Sequence, residues 1–197
     1  MSSSPILISN ITCARRGKDL FAPISITLND GETLILRGEN GSGKSTLLRT
    51  LAGLIPSTLN THHSSLYLGH TNALHPSLTV HEHLDFWRGL QSSRALPNSE
   101  ILLMLSLREH ATKHASHLSN GLKRRLAFAR LLLHPAKLWL LDEPQAALDK
   151  NALHILLNLI SDHASQGGIS IIASHDDLSI AGAQTLTLQA ATMSTKQ

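Results

Sequence analysis

Gly38-Glu39-Asn40-Gly41-Ser42-Gly43-Lys44-Ser45 fits the pattern G-x-x-x-x-G-K-[ST] at every fixed position. The residue types have a physical reason. Glycines let the backbone curl until its N–H groups converge on phosphate oxygens. A helix starting there points its positive end at the same anion. Lys44 brings a full charge to the β- and γ-phosphates, and the Ser45 hydroxyl is suited to ligate Mg²⁺. Context decides whether such a pattern means anything. Upstream, Thr33–Arg37 reads as a strand. Downstream, a helix is expected to about Ala52, with Gly53 as its stop and Pro56 beyond. Gly38 through Thr46 is therefore the nucleotide-binding candidate.

Further out, strands and helices alternate. Ile6–Thr12 and Ile24–Leu28 read as strands, and Asn29-Asp30-Gly31 as a turn into Thr33–Arg37, so the opening looks like a β-hairpin layer. Leu66-Tyr67-Leu68 is a short strand. Thr79-x-x-Glu82 has the form of a capping box and starts a helix at Val80. Glu100–Leu107 and Lys123–Leu133 are further helices, which suggests a helical insert over about 75–135. Lys137–Asp142 reads as a buried parallel strand, Asn151–His163 as a helix, and Ile169–Ser174 and Thr185–Leu188 as the last strands. The expected fold is α/β. It is one domain over 1–197, with a mixed central sheet, an N-terminal antiparallel β layer and the small α-helical subdomain inserted.

A phosphate loop needs a second carboxylate to hold its metal. Four apolar residues, Leu138-Trp139-Leu140-Leu141, deliver Asp142 to a C-terminal strand end, where open α/β sheets bind ligands. Asp142 would hold Mg²⁺, directly or through water. Glu143, next to it, could polarise the attacking water as general base. His175 follows another strand and could bond the γ-phosphate while holding Glu143. Thirteen histidines make any single one weak evidence. His62-His63, His81-x-His83 and His110 lack the Cys or carboxylate pattern of a metal centre.

Composition excludes several classes. At 42% hydrophobic the chain is ordinary for a globular protein and not disordered. Six aromatics in all (Trp 2, Tyr 1, Phe 3) are few for a binder of single-stranded nucleic acid. The net charge of +3 identifies no partner. Cys13 stands alone, so no internal disulfide forms, and it reads as a buried residue of the first layer. No apolar run approaches the roughly 18 residues of a membrane helix, and the first residues lack the form of a signal peptide. A cytoplasmic protein is expected, reaching a membrane only through a partner.

These motifs together resemble the ATP-binding-cassette (ABC) ATPases, a type of P-loop NTPase. Gly38–Ser45 is similar to their Walker A motif and Leu138–Asp142 to Walker B, with Glu143 as the carboxylate after it. Leu118-Ser119-Asn120-Gly121-Leu122 resembles the signature, ideally L-S-G-G-Q. Ala147-Leu148-Asp149 resembles the D-loop and His175 the switch histidine. A narrower likeness is to the ATPase subunit of bacterial cytochrome c maturation, the haem-exporter type. It lies in Leu68-Gly69-His70, with histidine at the Q-loop position, in Leu78-Thr79-x-x-Glu82-x-Leu84-x-Phe86 and in Gln166-Gly167-Gly168. The resemblance covers nearly the whole chain. It implies an ATPase using ATP and Mg²⁺, with catalytic Lys44, Glu143 and His175 and with Ser45 and Asp142 on the metal. It implies a homodimer in which Ser119, Asn120 and Gly121 meet the other protomer's ATP. It also implies membrane-embedded permease subunits of the CcmB and CcmC type at the inner membrane's cytoplasmic face, haem as cargo, and no nucleic acid.

Departures from the family pattern modify these expectations. Asn120 and Leu122 replace a glycine and the glutamine of the signature, which points to slow turnover. No aromatic stands where an adenine platform is usual; Arg15 or Arg16 is nearest, and Arg16 is taken as the stacking candidate. His70 would reach metal or water only as neutral imidazole. Lys123-Arg124-Arg125 reads as a solvated helix face, and Phe86 and Trp87 as packing residues of the insert. The alternatives are an ABC ATPase for another cargo and a small-molecule kinase on the same loop.

Overall fold

Antiparallel and parallel pairing are kept in separate sheets. In the computed structural model, which describes residues 5–15, 18–56, 64–90 and 96–189, β1 (Ile6–Ile11) pairs antiparallel with β4 (Ile24–Leu28), and the short β2 (Ala14–Arg15) with β3 (Lys18–Asp19). One extra residue interrupts the β1–β4 register between Ile8 and Ile11. Asn10 takes it up at φ 52°, its N–H held by Ser25 Oγ at 3.0 Å. β5 (Thr33–Arg37), β6 (Ser65–Leu68), β7 (Leu138–Asp142), β8 (Ile169–Ala173) and β9 (Gln184–Thr187) form the second sheet. Its order is β6-β7-β8-β5-β9, and every pairing is parallel.

The turn at Asn29–Gly31 does not close a hairpin. It carries the chain from β4 into the parallel sheet, where β5 lies between β8 and β9. The side chains explain this. The first four residues of β5 are all buried, the pattern of an interior strand covered on both faces.

The period of two along these strands feeds two cores. Leu34 and Leu36, Leu138 and Leu140, and Ile169 and Ile171 face one way, against the β1–β4 layer and α1 (Lys44–Leu51). Ile35, Trp139, Leu141 and Ile172 face the other way. There they meet α4 (Asn120–Leu133) and α5 (Lys150–Ser165). Between β6 and β7 the described elements are all helical: α2 (Val80–Gly89), α3 (Asn98–Met104), two 3₁₀ turns and α4. Val80, Leu84, Ile101 and Leu107 join these helices to the second core. Among the described residues no helix is long and apolar enough to cross a membrane.

Helix ends obey local chemistry. The Thr79 side chain accepts from the Glu82 N–H while the Glu82 carboxylate accepts from the Thr79 N–H at 2.7 Å, so α2 starts at Val80. α1 stops where Gly53 turns to φ 71°. The N–H groups of Gly53 and Leu54 close onto the carbonyls of Thr50 and Arg49 at 3.0 and 2.9 Å. Cys13 is buried against Thr50, and burial pushes its thiol pKa up. Phe86 is exposed and not a packing residue, whereas Trp87 packs against the core beside His83.

Candidate nucleotide site

One hollow lies past the C-terminal ends of β5 and β7, with β8 between them in the sheet. From β5 the chain runs into the glycine-rich loop. Gly38 has φ 140°, and a Cβ there would lie 2.5 Å from the Leu188 carbonyl oxygen and 2.7 Å from Ser42 Oγ. Gly43 caps α1 at φ 99°, and a Cβ would sit 2.8 Å from the Phe21 ring. Both positions demand glycine. Lys44 is buried, and its Nζ donates to the carbonyl oxygens of Gly38 and Glu39 at 2.6 and 3.1 Å. The cation is thus folded over the loop's own carbonyls. Asn40, Gly41, Lys44, Ser45, Thr46 and Glu143 line a shallow cavity of about 250 Å³.

From β7 comes Asp142, almost fully buried. Ser45 Oγ donates to its Oδ1 at 2.9 Å and Tyr67 Oη to its Oδ2 at 3.0 Å, with Arg49 Nε donating to the tyrosine oxygen at 3.2 Å. Burial raises the Tyr67 pKa, which keeps the phenol a donor. Two hard oxygen atoms, Ser45 Oγ and Asp142 Oδ1, therefore stand together beside the phosphate loop, a donor set that suits Mg²⁺. The buried Ser42 Oγ in the loop lacks a hydrogen-bond partner among the described residues.

Glu143 follows at φ 47°, its N–H bonded to the Ala173 carbonyl at 3.0 Å. Its Oε2 lies 2.8 Å from His175 Nδ1, at the end of β8. The hydrogen bond and charge of Glu143, then the charge of Asp176, raise the His175 pKa. Lys44, Ser45, Asp142, Glu143 and His175 are thus brought together, although they span the chain from residue 44 to 175.

The other candidates lie apart. Ser119 caps α4, its Oγ accepting from the Leu122 N–H at 3.3 Å, and Asn120 and Gly121 form the first turn. These three residues do not line the cavity. Asp149 caps α5, its Oδ1 accepting from the Ala152 N–H at 2.7 Å. His70 is exposed just beyond β6. Arg16, His62 and His63 lie outside the described residues, and among those described no cluster suits a metal ion held by His, Cys, Asp or Glu.

Three residues escaped the sequence reading. Arg124 is not part of a solvated face. It is 3% exposed, and its guanidinium donates to the carbonyls of Gly69, Asp142, Glu143 and Pro144 and to Asn72 Oδ1. Helical phase was the available signal, since Ala127, Phe128 and Leu131, at i+3, i+4 and i+7, are all buried. Gln145 bonds Glu143 Oε2, and Tyr67 bonds Asp142. Neither had a sequence signal beyond a polar group placed among apolar neighbours.

Comparison with known proteins places the chain in a family. The family model described as "ABC transporter" matches residues 21–146. The cytochrome c biogenesis ATP-binding export protein CcmA of Rhizobium johnstonii is 41% identical, over 92% of this chain and 94% of the relative. That of Ruegeria pomeroyi is 40% identical over 89% and 87%. A solved putative ABC transporter ATP-binding protein from Pyrococcus furiosus superposes with a TM-score of 0.79 at 24% identity, covering 94% of this chain and 98% of the other. The ATP-binding subunit of an ABC transporter superposes at 0.73 with 22% identity, over 86% and 78%. These two share the fold. A family match over most of the chain, joined to relatives this similar along nearly their whole length, leaves one assignment: the chain belongs to the ABC transporter family, as an ATP-binding cassette.

Proposed function

We propose that the chain hydrolyses ATP, as a homodimer on the cytoplasmic face of the bacterial inner membrane, to drive a haem-handling step of c-type cytochrome maturation with permease subunits of the CcmB and CcmC type. The observation that carries the chemistry is one hollow lined by Lys44, Ser45 and Glu143, with Asp142 bonded to Ser45 and His175 to Glu143. The cargo rests on the CcmA relatives. Residues 75–135 would form the signature-bearing arm of a single ATPase domain. Phe86, Leu90 and Leu103 are exposed on that arm and would be available for apolar contact with a membrane subunit.

Hydrolysis breaks the bond from Pγ to the bridging oxygen and forms one from Pγ to water. Lys44 would turn from the loop carbonyls to the phosphate oxygens. The loop N–H groups from Asn40 to Thr46 would hold the same oxygens. Ser45 and Asp142 would hold Mg²⁺, which supplies positive charge to the β- and γ-phosphates. Glu143 would take the proton of the attacking water, with His175 steadying its carboxylate. A hollow of about 250 Å³ is smaller than the roughly 300–1,000 Å³ usual for a ligand pocket. Ser119 and Gly121 of a second protomer would complete it.

The test is covalent haem in c-type cytochromes, in a host lacking this gene and complemented with wild type or Glu143→Gln. Wild type is expected to restore haem-stained cytochromes and Glu143→Gln to leave them absent. Normal cytochromes without the gene would overturn the cargo and leave the ATPase standing.

A further inference from the structure

A buried amide outside the family's motifs reaches the carboxylate read as the base. Gln145 is 9% exposed and lies two residues past Glu143. Its Nε2 donates to Glu143 Oε2 at 2.7 Å and to Ser174 Oγ at 3.0 Å. The partners fix the amide's orientation, because an oxygen turned to the carboxylate would oppose two acceptors. Ser174 Oγ donates to the Asp176 carbonyl at 2.9 Å and accepts from the Asp176 N–H at 3.1 Å. Its proton is thus committed, and its remaining capacity as an acceptor meets Gln145.

Two donors therefore converge on one oxygen of Glu143, Gln145 Nε2 from within the fold and His175 Nδ1 from the open side. The other oxygen, Oε1, accepts no hydrogen bond from the described residues. The backbone supports this placement. Glu143 and Ala147 both take positive φ, 47° and 62°, and the turn between them is closed by the bond from the Leu148 N–H to the Gln145 carbonyl at 3.1 Å.

Stability alone is a weak reason for glutamine here, because what its two Nε2 hydrogen bonds contribute is offset at its other end. Its Oε1 is buried without a donor among the described residues. A stranded acceptor destabilises the folded state, and an apolar side chain of the same length would avoid it. The residue's donors are what an apolar replacement lacks.

We propose that Gln145 is a positioning residue for hydrolysis: it fixes the rotation of the Glu143 carboxylate through Oε2, leaves Oε1 to take the proton of the attacking water, and through Ser174 ties that orientation to the segment bearing His175. This rests on Glu143 acting as the base.

Gln145→Met keeps the length of the side chain and removes both donors. In the full chain with Mg–ATP its kcat falls about 10- to 100-fold, a part of the roughly 10²–10⁴ that a general base supplies. KM for ATP stays within about two-fold. The Tm stays close to that of wild type, because the two lost hydrogen bonds are offset by removal of the stranded oxygen. A side chain that only packs predicts otherwise. Wild-type kcat in Gln145→Met overturns the proposal, and so does a joint loss of kcat, KM and Tm. A second readout needs no turnover. By NMR, the Gln145 amide proton facing Glu143 exchanges slowly in wild type and rapidly in Glu143→Ala, and equal exchange in both overturns the proposal. Glu143→Gln is assayed alongside. Full activity there would overturn the base itself, whereas its inactivity beside an unaffected Gln145→Met overturns only the role of Gln145.

Discussion

At Arg124 charge and helical position point in opposite directions. Three cations in a row, Lys123-Arg124-Arg125, suggest solvent, but the phase of α4 places the middle one inward. Phase prevails because the guanidinium finds enough acceptors to replace water. Four carbonyl oxygens and one amide oxygen receive it, at 2.8 to 3.2 Å. Desolvation pulls its pKa down to about 10, so it stays charged at neutral pH. The acceptors belong to the segment after β6, to the end of β7 and to the loop beyond it, so one side chain joins α4 to both carboxylate-bearing residues. Arg124→Leu strands these carbonyls, each costing about 1–3 kcal/mol if left buried and unpaired. With partial access to water, a net loss of roughly 3 kcal/mol is expected, a fall in Tm of about 6–12 °C. Calorimetry checks this, and an unchanged Tm would mean that the cage is open to solvent. The legible residues were those whose chemistry is tied to a fixed spacing, Gly38 to Ser45 and Asp142-Glu143. Arg124, Gln145 and Tyr67 act through partners that only the tertiary fold supplies.

Element boundaries were legible where a cap was. The capping box placed the start of α2 at Val80, and Gly53 placed the end of α1. α4 begins three residues before the expected Lys123, because the Ser119 side chain caps the helix there. The strands' partners were less legible, since nothing local told β5 to leave β4. The packing of α5 on β7 and β8 carries a pH dependence. His163 stacks on Trp139 with ring centroids 3.8 Å apart and planes 3° apart. Gly168 is glycine because a Cβ there would fall 2.2 Å from the imidazole. Burial depresses the His163 pKa to about 4 from the ordinary 6.5. Between those values the unfolded chain binds a proton that the folded chain refuses. The stability is therefore complete above about pH 6.5 and is lost as the pH falls toward 4, by roughly 3 kcal/mol at most. His163→Phe keeps a ring against Trp139 and removes the titration. Urea unfolding at pH 7 and pH 5 is expected to show a smaller acid loss in His163→Phe than in wild type. Equal losses would place the titration elsewhere.

At the scale of the whole molecule, the proposed homodimer would draw on two separate parts of each chain. The phosphate loop and its carboxylates sit at the ends of β5, β7 and β8, while Ser119 and Gly121 sit at the start of α4 and do not line the same hollow. A nucleotide held by the first half would leave its γ-phosphate open, and the second half would offer it N–H and O–H donors at the N-terminus of α4. In the proposed dimer, two chains placed head to tail would satisfy both halves at once. Each protomer carries a net charge of +3, so bare chains repel, and the nucleotide's negative charge between them offsets that repulsion. The dimer should therefore form only with ATP, because ATP alone contacts both halves. Glu143→Gln, which leaves binding intact and removes the base, is expected to elute at twice the monomer mass in Mg–ATP and at the monomer mass in ADP, by gel filtration with light scattering. Ser119→Arg in the same background should bind ATP as a monomer, since the added side chain blocks only the facing half. A Glu143→Gln protein that stays monomeric at saturating ATP, or a Ser119→Arg protein that still dimerises, would remove the sandwich and leave each chain to hydrolyse its nucleotide alone.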